Sequence, residues 1–423
     1  MITALQAREI ILENVRLLGA ERVFLSEAPG RVLSEPFFAR RDVPPLDNSA
    51  MDGFALNSGD TSGASEKSPA ALRIGRTIGA GDRAGQPLGN RETVRIMTGA
   101  PVPKGADTVL PVEDAVVEGG FLLCGSVGKG NHIRLAGEDI RSGEEILPAG
   151  RVLRAADVGL VASQGISQIR VRMRAEVAIL GTGDEVVSLG ETPGEGQIYG
   201  SNSHALFSLV LECGGVPRHL GIARDDPRDV AEKVEEGLLS DVLVTSGGVS
   251  MGDFDYLKGV FRELGVNVLF QEVAQKPGKP MVFGVKDGKP VFGLPGNPVS
   301  ATLGFELYVR PALLRMMGHE RLFRPMVPAV LDEGIRKKPG RRNFLRGIVS
   351  RKEDGEFHVR TTGGQGSGIL MSMSRANGII ILPEQSEGAN AGDEVEVYLI
   401  DSEDALYGEG AKGHGHRETG DVK

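Results

Sequence analysis

Thr245-Ser246-Gly247-Gly248-Val249-Ser250-Met251-Gly252-Asp253-Phe254-Asp255 lies between the apolar run Val242-Leu243-Val244 and the segment Tyr256-Leu257-Lys258-Gly259-Val260-Phe261. The apolar run reads as a buried strand and the later segment as the start of a helix. A Gly/Ser-rich turn between a strand and a helix lets backbone N–H groups approach an anion closely. This turn also carries two carboxylates, Asp253 and Asp255. Phosphate-binding glycines beside metal-capable acids point to a phosphorylated substrate, a divalent cation, and phosphate or nucleotidyl chemistry.

The surrounding residues, 175–323, alternate strands and helices. Strands are expected near 177–180, 216–221, 241–245, 267–273, 281–285 and 290–294. Helices are expected at Ser203 to Cys213, Pro227 to Leu239 and 255–264, with a long one from Pro298 to Met317. This alternation predicts a doubly wound α/β domain with helices on both faces. Ligands of such sheets bind outside the carboxyl ends of the strands, which is where the opening segment falls.

The flanks differ. Residues 3–18 fit a helix, capped by Thr3, with Leu5, Ile10, Leu12, Val15 and Leu18 on roughly one side. Residues 46–144 are rich in Gly, Pro and short Val/Ile/Leu runs, the pattern of a strand-rich domain inserted between 1–45 and 145–174. Residues 324–402 return to short strands and suggest a small β-barrel or sandwich. Residues 403–423 are polar and Gly-rich and read as a flexible tail. The His414-Gly415-His416 pair inside it could take a metal, but no other ligand is near it in sequence.

The chain has 423 residues, room for roughly three domains of ~150 residues each. Its net charge of −9 argues against a general nucleic-acid binder, though a local basic pocket remains open. The 60 glycines follow no repeating triplet, so frequent turns explain them better than collagen or disorder. Cys124 and Cys213 belong to no Cys-x-x-Cys pair and read as buried or partly buried free thiols of a reducing compartment. Met1 to Gly19 lacks the basic and continuously apolar regions of an export signal. No run approaches the ~20 apolar residues of a membrane span. A cytoplasmic protein without a membrane partner is the expectation.

Further segments have the chemistry of an anion site. Gly181-Thr182-Gly183-Asp184-Glu185 follows the first strand of the α/β domain; a surface turn is the alternative. Lys276-Pro277-Gly278-Lys279-Pro280 holds two cations on a turn stiffened by prolines; a solvated basic turn is the alternative. Gly293-Leu294-Pro295-Gly296-Asn297-Pro298-Val299-Ser300 joins a strand to a helix, with Asn297 a good N-cap and Pro298 a good first helical residue. It offers free N–H groups and a positive dipole end, or is simply a well-capped helix. Asp47 to Ala55, Thr98 to Pro103, Gly137 to Ile140 and Asp225-Asp226-Pro227 are, singly, ordinary turns or helix starts. Neither a Gly-x-x-x-x-Gly-Lys-Ser/Thr loop nor a His-Glu-x-x-His motif is present, so P-loop and zincin mechanisms have no support.

Together, in this order and across about residues 1–400, these strings resemble the MoeA family of molybdopterin molybdenumtransferases, to which the E domain of gephyrin belongs. The resemblance implies an enzyme that inserts molybdate into adenylylated molybdopterin, cleaving the phosphate anhydride and releasing AMP. It implies a homodimer whose active site is shared between subunits, and molybdopterin adenylyltransferase as the upstream partner. Its residue-by-residue transfer makes Asp52, Thr98, Asp139, Glu185, Asp225 and Asp255 the catalytic set, with Asp52, Thr98 and Asp139 supplied by the partner subunit. Asp225 and Asp255 become candidate Mg²⁺ ligands. Ser246, Gly247, Gly248, Ser250, Lys276, Lys279, Pro295, Gly296, Asn297 and Ser300 become substrate-binding residues, and Arg346 and Ser367 the molybdate candidates. A guanidinium and a hydroxyl are suitable donors to a tetrahedral oxyanion.

The chain departs from the family pattern at Phe54, where Tyr is common, at Gly200, where Asp is frequent, and at Glu272, where a basic residue is often found. Two other functions fit the same fold: a molybdopterin adenylyltransferase, and a non-catalytic scaffold. Two additional strand-rich regions speak against the first, and the full set of acids against the second.

Overall fold

From Val177 to Thr182 every residue is buried, as in a strand covered on both faces. This strand (β1, Glu176–Thr182) opens the series α1 (Ser201–Glu212), β2 (Val216–Ala223), α2 (Pro227–Gly237), β3 (Val242–Ser246), α3 (Leu257–Glu263), β4 (Asn267–Glu272), β5 (Pro280–Lys286), β6 (Lys289–Leu294) and α4 (Pro298–Gly304). The computed structural model describes residues 1–249, 257–353 and 355–401. The sheet runs β2-β1-β3-β6-β5-β4. Strands β2, β1, β3 and β6 are parallel, whereas β5 is antiparallel to both β6 and β4. The β5–β6 hairpin turns at Asp287-Gly288, both with positive φ (53° and 80°), the geometry a two-residue hairpin requires.

Alternation along the strands divides the core. Val177, Ile179, Val242, Val244 and Leu294 pack with Leu206 and Val210 of α1 on one face. Ala178, Leu180, Leu243 and Val291 pack with Val230 and Val234 of α2 and Val260 and Phe261 of α3 on the other. With helices on both faces, the region has the doubly wound α/β fold.

The N-terminal helix covers Ala4–Glu13, shorter than the periodicity predicts, and Thr3 and Gln6 form its capping box. Its buried seam is Ala4, Ala7 and Ile11, while Leu5 is 49% exposed. Ile10, Leu12, Val15 and Leu18 of the expected side pack on the core as well, and Leu5 alone departs from it, because the small Ala4 and Ala7 allow close approach. Asn14 ends the helix, its side chain donating to the Ile10 carbonyl (2.8 Å). The expected long C-terminal helix is α4, a π-turn at Phe305–Val309, and α5 (Arg310–Met316) without a break. Pro311 has no N–H for the Leu307 carbonyl, and Arg8 Nε donates to that oxygen instead (3.3 Å).

The C-terminal region is a small barrel of Met326–Leu331, Arg342–Arg351, Phe357–Thr361, Gly378–Leu382 and Glu394–Leu399. Arg342–Arg351 pairs with both Phe357–Thr361 and Gly378–Leu382, which closes the barrel. Leu331, Val349, Val359, Ile380 and Val397 fill it. The short strand Gln275–Lys276 runs parallel to Arg342 and Asn343, so the α/β region and the barrel share a strand. Both belong to one compact unit with residues 1–23 and 30–34.

Residues 24–29 and 35–169 form a second unit. Its six-stranded sheet has the order Thr108–Pro111, Gly53–Leu56, Glu92–Ile96, Ala70–Ile78, Phe121–Cys124, Val116–Glu118. Phe54 and Leu56 fill one face with Leu72 and Leu122, and Ala55 fills the other with Val94 and Val109. A Cβ at Gly53 would lie 2.0 Å from the Leu110 carbonyl oxygen, so only glycine permits this close pairing. Cys124 and Cys213 are both free and buried. Among the described residues no helix is long and apolar enough to cross a membrane.

Candidate active site

Three parallel strands end side by side: β1 at Thr182, β3 at Ser246 and β6 at Leu294. Gly247 N donates to the Leu294 carbonyl (3.0 Å), joining two of these ends. Gly247 has φ 99°, and a Cβ there would lie 2.6 Å from Thr182 Oγ1 and 2.8 Å from the Thr182 carbonyl oxygen. Only glycine fits, as the anion-loop reading of this turn requires.

Above these ends lies a cleft of about 1050 Å³. Of the residues expected to act, it brings together Glu185, Asp225, Gly247, Gly248, Lys276, Lys279, Pro295, Gly296, Asn297, Ser300 and Ser367. Its walls come from the carboxyl edge of the sheet, the lysine turn and the barrel loop 365–367. Asp225 is held by a reciprocal pair of bonds: Asp184 N donates to Asp225 Oδ2 (3.3 Å) and Asp225 N to Asp184 Oδ1 (3.2 Å). Asp226 points elsewhere and caps α2 by accepting from the Arg228 and Asp229 backbones.

The lysine turn is braced from below. Buried Gln275 donates through Nε2 to the Gly278 carbonyl (3.2 Å) and accepts the Tyr308 hydroxyl through Oε1. Val273 N donates to the Lys279 carbonyl (2.9 Å). Lys279 Nζ pairs with Glu272 Oε1 (3.0 Å), and Lys276 makes no ion pair among the described residues. The Glu272 carboxyl is held below its ordinary range, chiefly by its hydrogen bond from Lys279.

Asn297 occupies the N-cap position of α4 but makes no side-chain capping bond, unlike the simple cap expected of it. The barrel loop takes that part: the Ser367 carbonyl accepts from Val299 N (3.1 Å). With Pro298 lacking an N–H, this helix start offers an anion fewer free donors than expected. Arg346 is fully buried. Its Nε donates to Ser372 Oγ (3.0 Å) and its Nη2 to the Gly366 (3.0 Å) and Gly364 (3.4 Å) carbonyls. Nη1 has no partner among the described residues. Arg346 thus holds the loop that carries Ser367 and lines an adjoining basin of about 550 Å³ with Lys276, Arg336, Lys338 and Arg341. Burial lowers its guanidinium pKa.

Ser246 is buried beneath the cleft, accepting from Asn202 Nδ2 (2.9 Å), which also donates to the Gly296 carbonyl (2.7 Å). Asn202 and Ser246 line a second compartment of about 570 Å³ with Ile198, Tyr199, Gly200 and Leu370. Sequence reasoning did not assign Asn202, Gln275 or Tyr308. None stands in a telling local pattern, and each acts through a partner distant in the chain.

In the other unit, Asp52 and Thr98 flank adjacent antiparallel strands and meet there. Thr98 N and Oγ1 both donate to Asp52 Oδ1 (2.7 Å each). The backbone bond first, then the hydroxyl and the Arg95 charge, lower the Asp52 pKa. Asp139 is exposed in the turn where Ile140 bridges to Val43, and its backbone N donates to the Val43 carbonyl (3.1 Å). Ser250, Asp255 and the 414–416 histidine pair lie outside the described residues. Among the described residues, no group of three or more His, Cys, Asp or Glu side chains is set to hold a metal ion.

Three family patterns cover this chain in order: the MoeA N-terminal region (domain I and II) over residues 2–165, a probable molybdopterin binding domain over 178–315, and the MoeA C-terminal region (domain IV) over 328–400. A molybdopterin molybdenumtransferase of Staphylococcus aureus is 32% identical over 402 residues, 95% of this chain and 96% of that protein. The chain belongs to the molybdopterin molybdenumtransferase (MoeA) family. A Staphylococcus epidermidis molybdopterin molybdenumtransferase is 33% identical over 380 residues, covering 89% of this chain and 90% of its own. A molybdopterin biosynthesis MoeA crystal structure from Pyrococcus horikoshii superposes with a TM-score of 0.84 at 34% identity, over 95% of this chain and 99% of that one. This MoeA-family chain is thus a transferase of molybdenum cofactor biosynthesis.

Proposed function

We propose that this chain inserts molybdate into adenylylated molybdopterin, with cleavage of the phosphate anhydride and release of AMP. The observation that carries this reading is the single cleft in which glycine loops, two lysines and two acids from separate segments converge. Glycine-loop N–H groups suit phosphate oxygens. Lys276, free of ion pairs among the described residues, suits the negative charge of phosphate or oxyanion. Ser367 and the loop held by Arg346 suit a tetrahedral oxoanion at the barrel wall.

Mg²⁺ belongs to the proposal. Asp225 is tied through one carboxylate oxygen to a backbone N–H, and the other oxygen suits a hard cation that also takes phosphate oxygens and water. Asp225 and Asp255 are the residues proposed to hold it. When bound, it would supply neutralisation of charge on the phosphates.

The proposal includes a cytoplasmic homodimer of four-part subunits, divided at 1–45 with 145–174, 46–144, 175–323 and 324–402. Asp52, Thr98 and Asp139 of one subunit complete the cleft of the other. Molybdopterin adenylyltransferase supplies the substrate. The test is to incubate the purified chain with adenylylated molybdopterin, Mg²⁺ and molybdate or tungstate and follow AMP. Oxyanion-dependent AMP release is expected. Formation of adenylylated pterin from molybdopterin and Mg-ATP instead would make the chain an adenylyltransferase.

A further inference from the structure

Lys276 and Lys279 sit on one braced turn and line one cleft, yet their surroundings differ. Lys276 makes no ion pair among the described residues, whereas Lys279 Nζ lies 3.0 Å from Glu272 Oε1. The backbone on both sides of that pair is fixed without it. Glu272 stands opposite Pro280 in the β4–β5 ladder, and Ile2 N donates to the Glu272 carbonyl (3.2 Å). The turn is held by the Val273–Lys279 backbone bond, by Gln275 and by pairing of Gln275 and Lys276 with the barrel. The side-chain pair is therefore redundant for folding. Both partners are partly exposed, 40% for Lys279 and 31% for Glu272, and such pairs contribute little to stability. Its effect is electrostatic: it takes one of two cations out of play until an anion arrives.

We propose that Glu272 is a built-in competitor for Lys279, a carboxylate that an incoming dianionic tetrahedral group must displace, so that it sets how tightly the cleft holds its oxoanion. A monoanion meets two cations of which one is already neutralised, and gains little by displacing Glu272. A dianion recovers the full attraction of both lysines. Glu272 thereby weakens binding of every anion that uses Lys279, and its own charge repels a dianion more than a monoanion. This inference rests on the reading of the cleft as an anion site. It adds an affinity-setting residue that does not itself touch the ligand.

The chemistry that Lys279 recognises is shared by free oxyanion and by the phosphate of the organic substrate. Equilibrium binding separates them without turnover. Molybdate, inorganic phosphate and AMP are each titrated into the full chain, in wild type and Glu272→Gln, at low and high salt, with melting curves recorded in parallel. The glutamine keeps the size and a hydrogen-bond acceptor but removes the charge. The expected result is binding about fivefold tighter in Glu272→Gln, the equivalent of one exposed ion pair, with a steeper salt dependence and unchanged melting. A gain confined to molybdate assigns Lys279 to the free oxyanion. A gain confined to phosphate and AMP assigns it to the organic phosphate. Glu272→Asp, which keeps the charge but withdraws it by one methylene, should show a smaller gain and serves where the glutamine variant melts early. Unchanged or weaker binding of all three anions in a folded variant overturns the proposal. Absence of AMP release alongside the predicted binding gain would count against the reaction and not against Glu272.

Discussion

Replacing Gly247 by Ala would place a Cβ 2.6 Å from Thr182 Oγ1, at a φ that side chains disfavour. We expect Gly247→Ala to lower stability by about 2 kcal/mol in urea unfolding and to reduce AMP release further still, because the turn it distorts lines the cleft. Asp52 gives a pH-dependent counterpart. Its carboxylate is stabilised by the Thr98 backbone and hydroxyl, which hold its folded pKa below the ordinary aspartate value. A depressed acid contributes stability that is present above the unfolded value and lost as pH falls through the folded one. The window is therefore acidic, below the ordinary aspartate range. Thr98→Val removes the hydroxyl bond and keeps the backbone one. The Asp52 pKa is expected to rise only part of the way to its ordinary value, as read by NMR titration of the carboxyl carbon.

At the scale of elements, the start of α2 separates two neighbouring acids that the sequence could not. Asp226 caps the helix, while Asp225 is clasped to Asp184 at the cleft wall. Asp226→Ala is expected to cost about 1 kcal/mol of stability in denaturant unfolding while keeping AMP release near wild type. Asp225→Ala is expected to keep stability and lose AMP release. The strands and helices of the α/β region were legible because their signals are local: β-rich runs, Gly-rich turns and Pro at the first helical position of α2 and α4. The N-terminal segment was legible in its cap and in most of its face, since Ile10, Leu12, Val15 and Leu18 do pack on the core, and only Leu5 was misplaced. Hydrophobicity singles out Leu5, but the tight approach of the helix to the core selects Ala4 and Ala7. The π-turn was also hidden, and so was the bond from Arg8 Nε to the Leu307 carbonyl within it, which joins residues far apart in the chain.

For the whole molecule, the prediction concerns the proposed sharing of sites between subunits. Asp52→Ala and Asp225→Ala fall in different compact units. If each cleft takes Asp52 from the partner, a mixed dimer of these variants has one cleft with both lesions and one with neither. Refolding the two inactive variants together should restore about a quarter of wild-type AMP release, since half the dimers are mixed and each has one intact site. No recovery on mixing would place both residues' contributions within one subunit. The barrel adds a second feature at this scale. It shares the Gln275–Lys276 strand with the α/β region, and its Ser367 carbonyl caps α4, so the cleft wall and the sheet edge are fixed by the same bonds.

Alternating strands and helices, glycine turns at strand ends and the order of the family strings were all readable from the chain alone, because each is a property of residues adjacent in sequence. That several of those turns face one cleft follows in part as well, since parallel strands put their carboxyl ends on one edge. Only the tertiary structure decided which polar side chains serve the cleft and which serve the fold. Tyr308 reaches Gln275 across 33 positions, Arg346 reaches Ser372 across 26, and Asn202 reaches Gly296 across 94. Such partners are chosen by packing of whole elements, and a hydrogen bond between distant residues leaves no mark on the sequence near either of them.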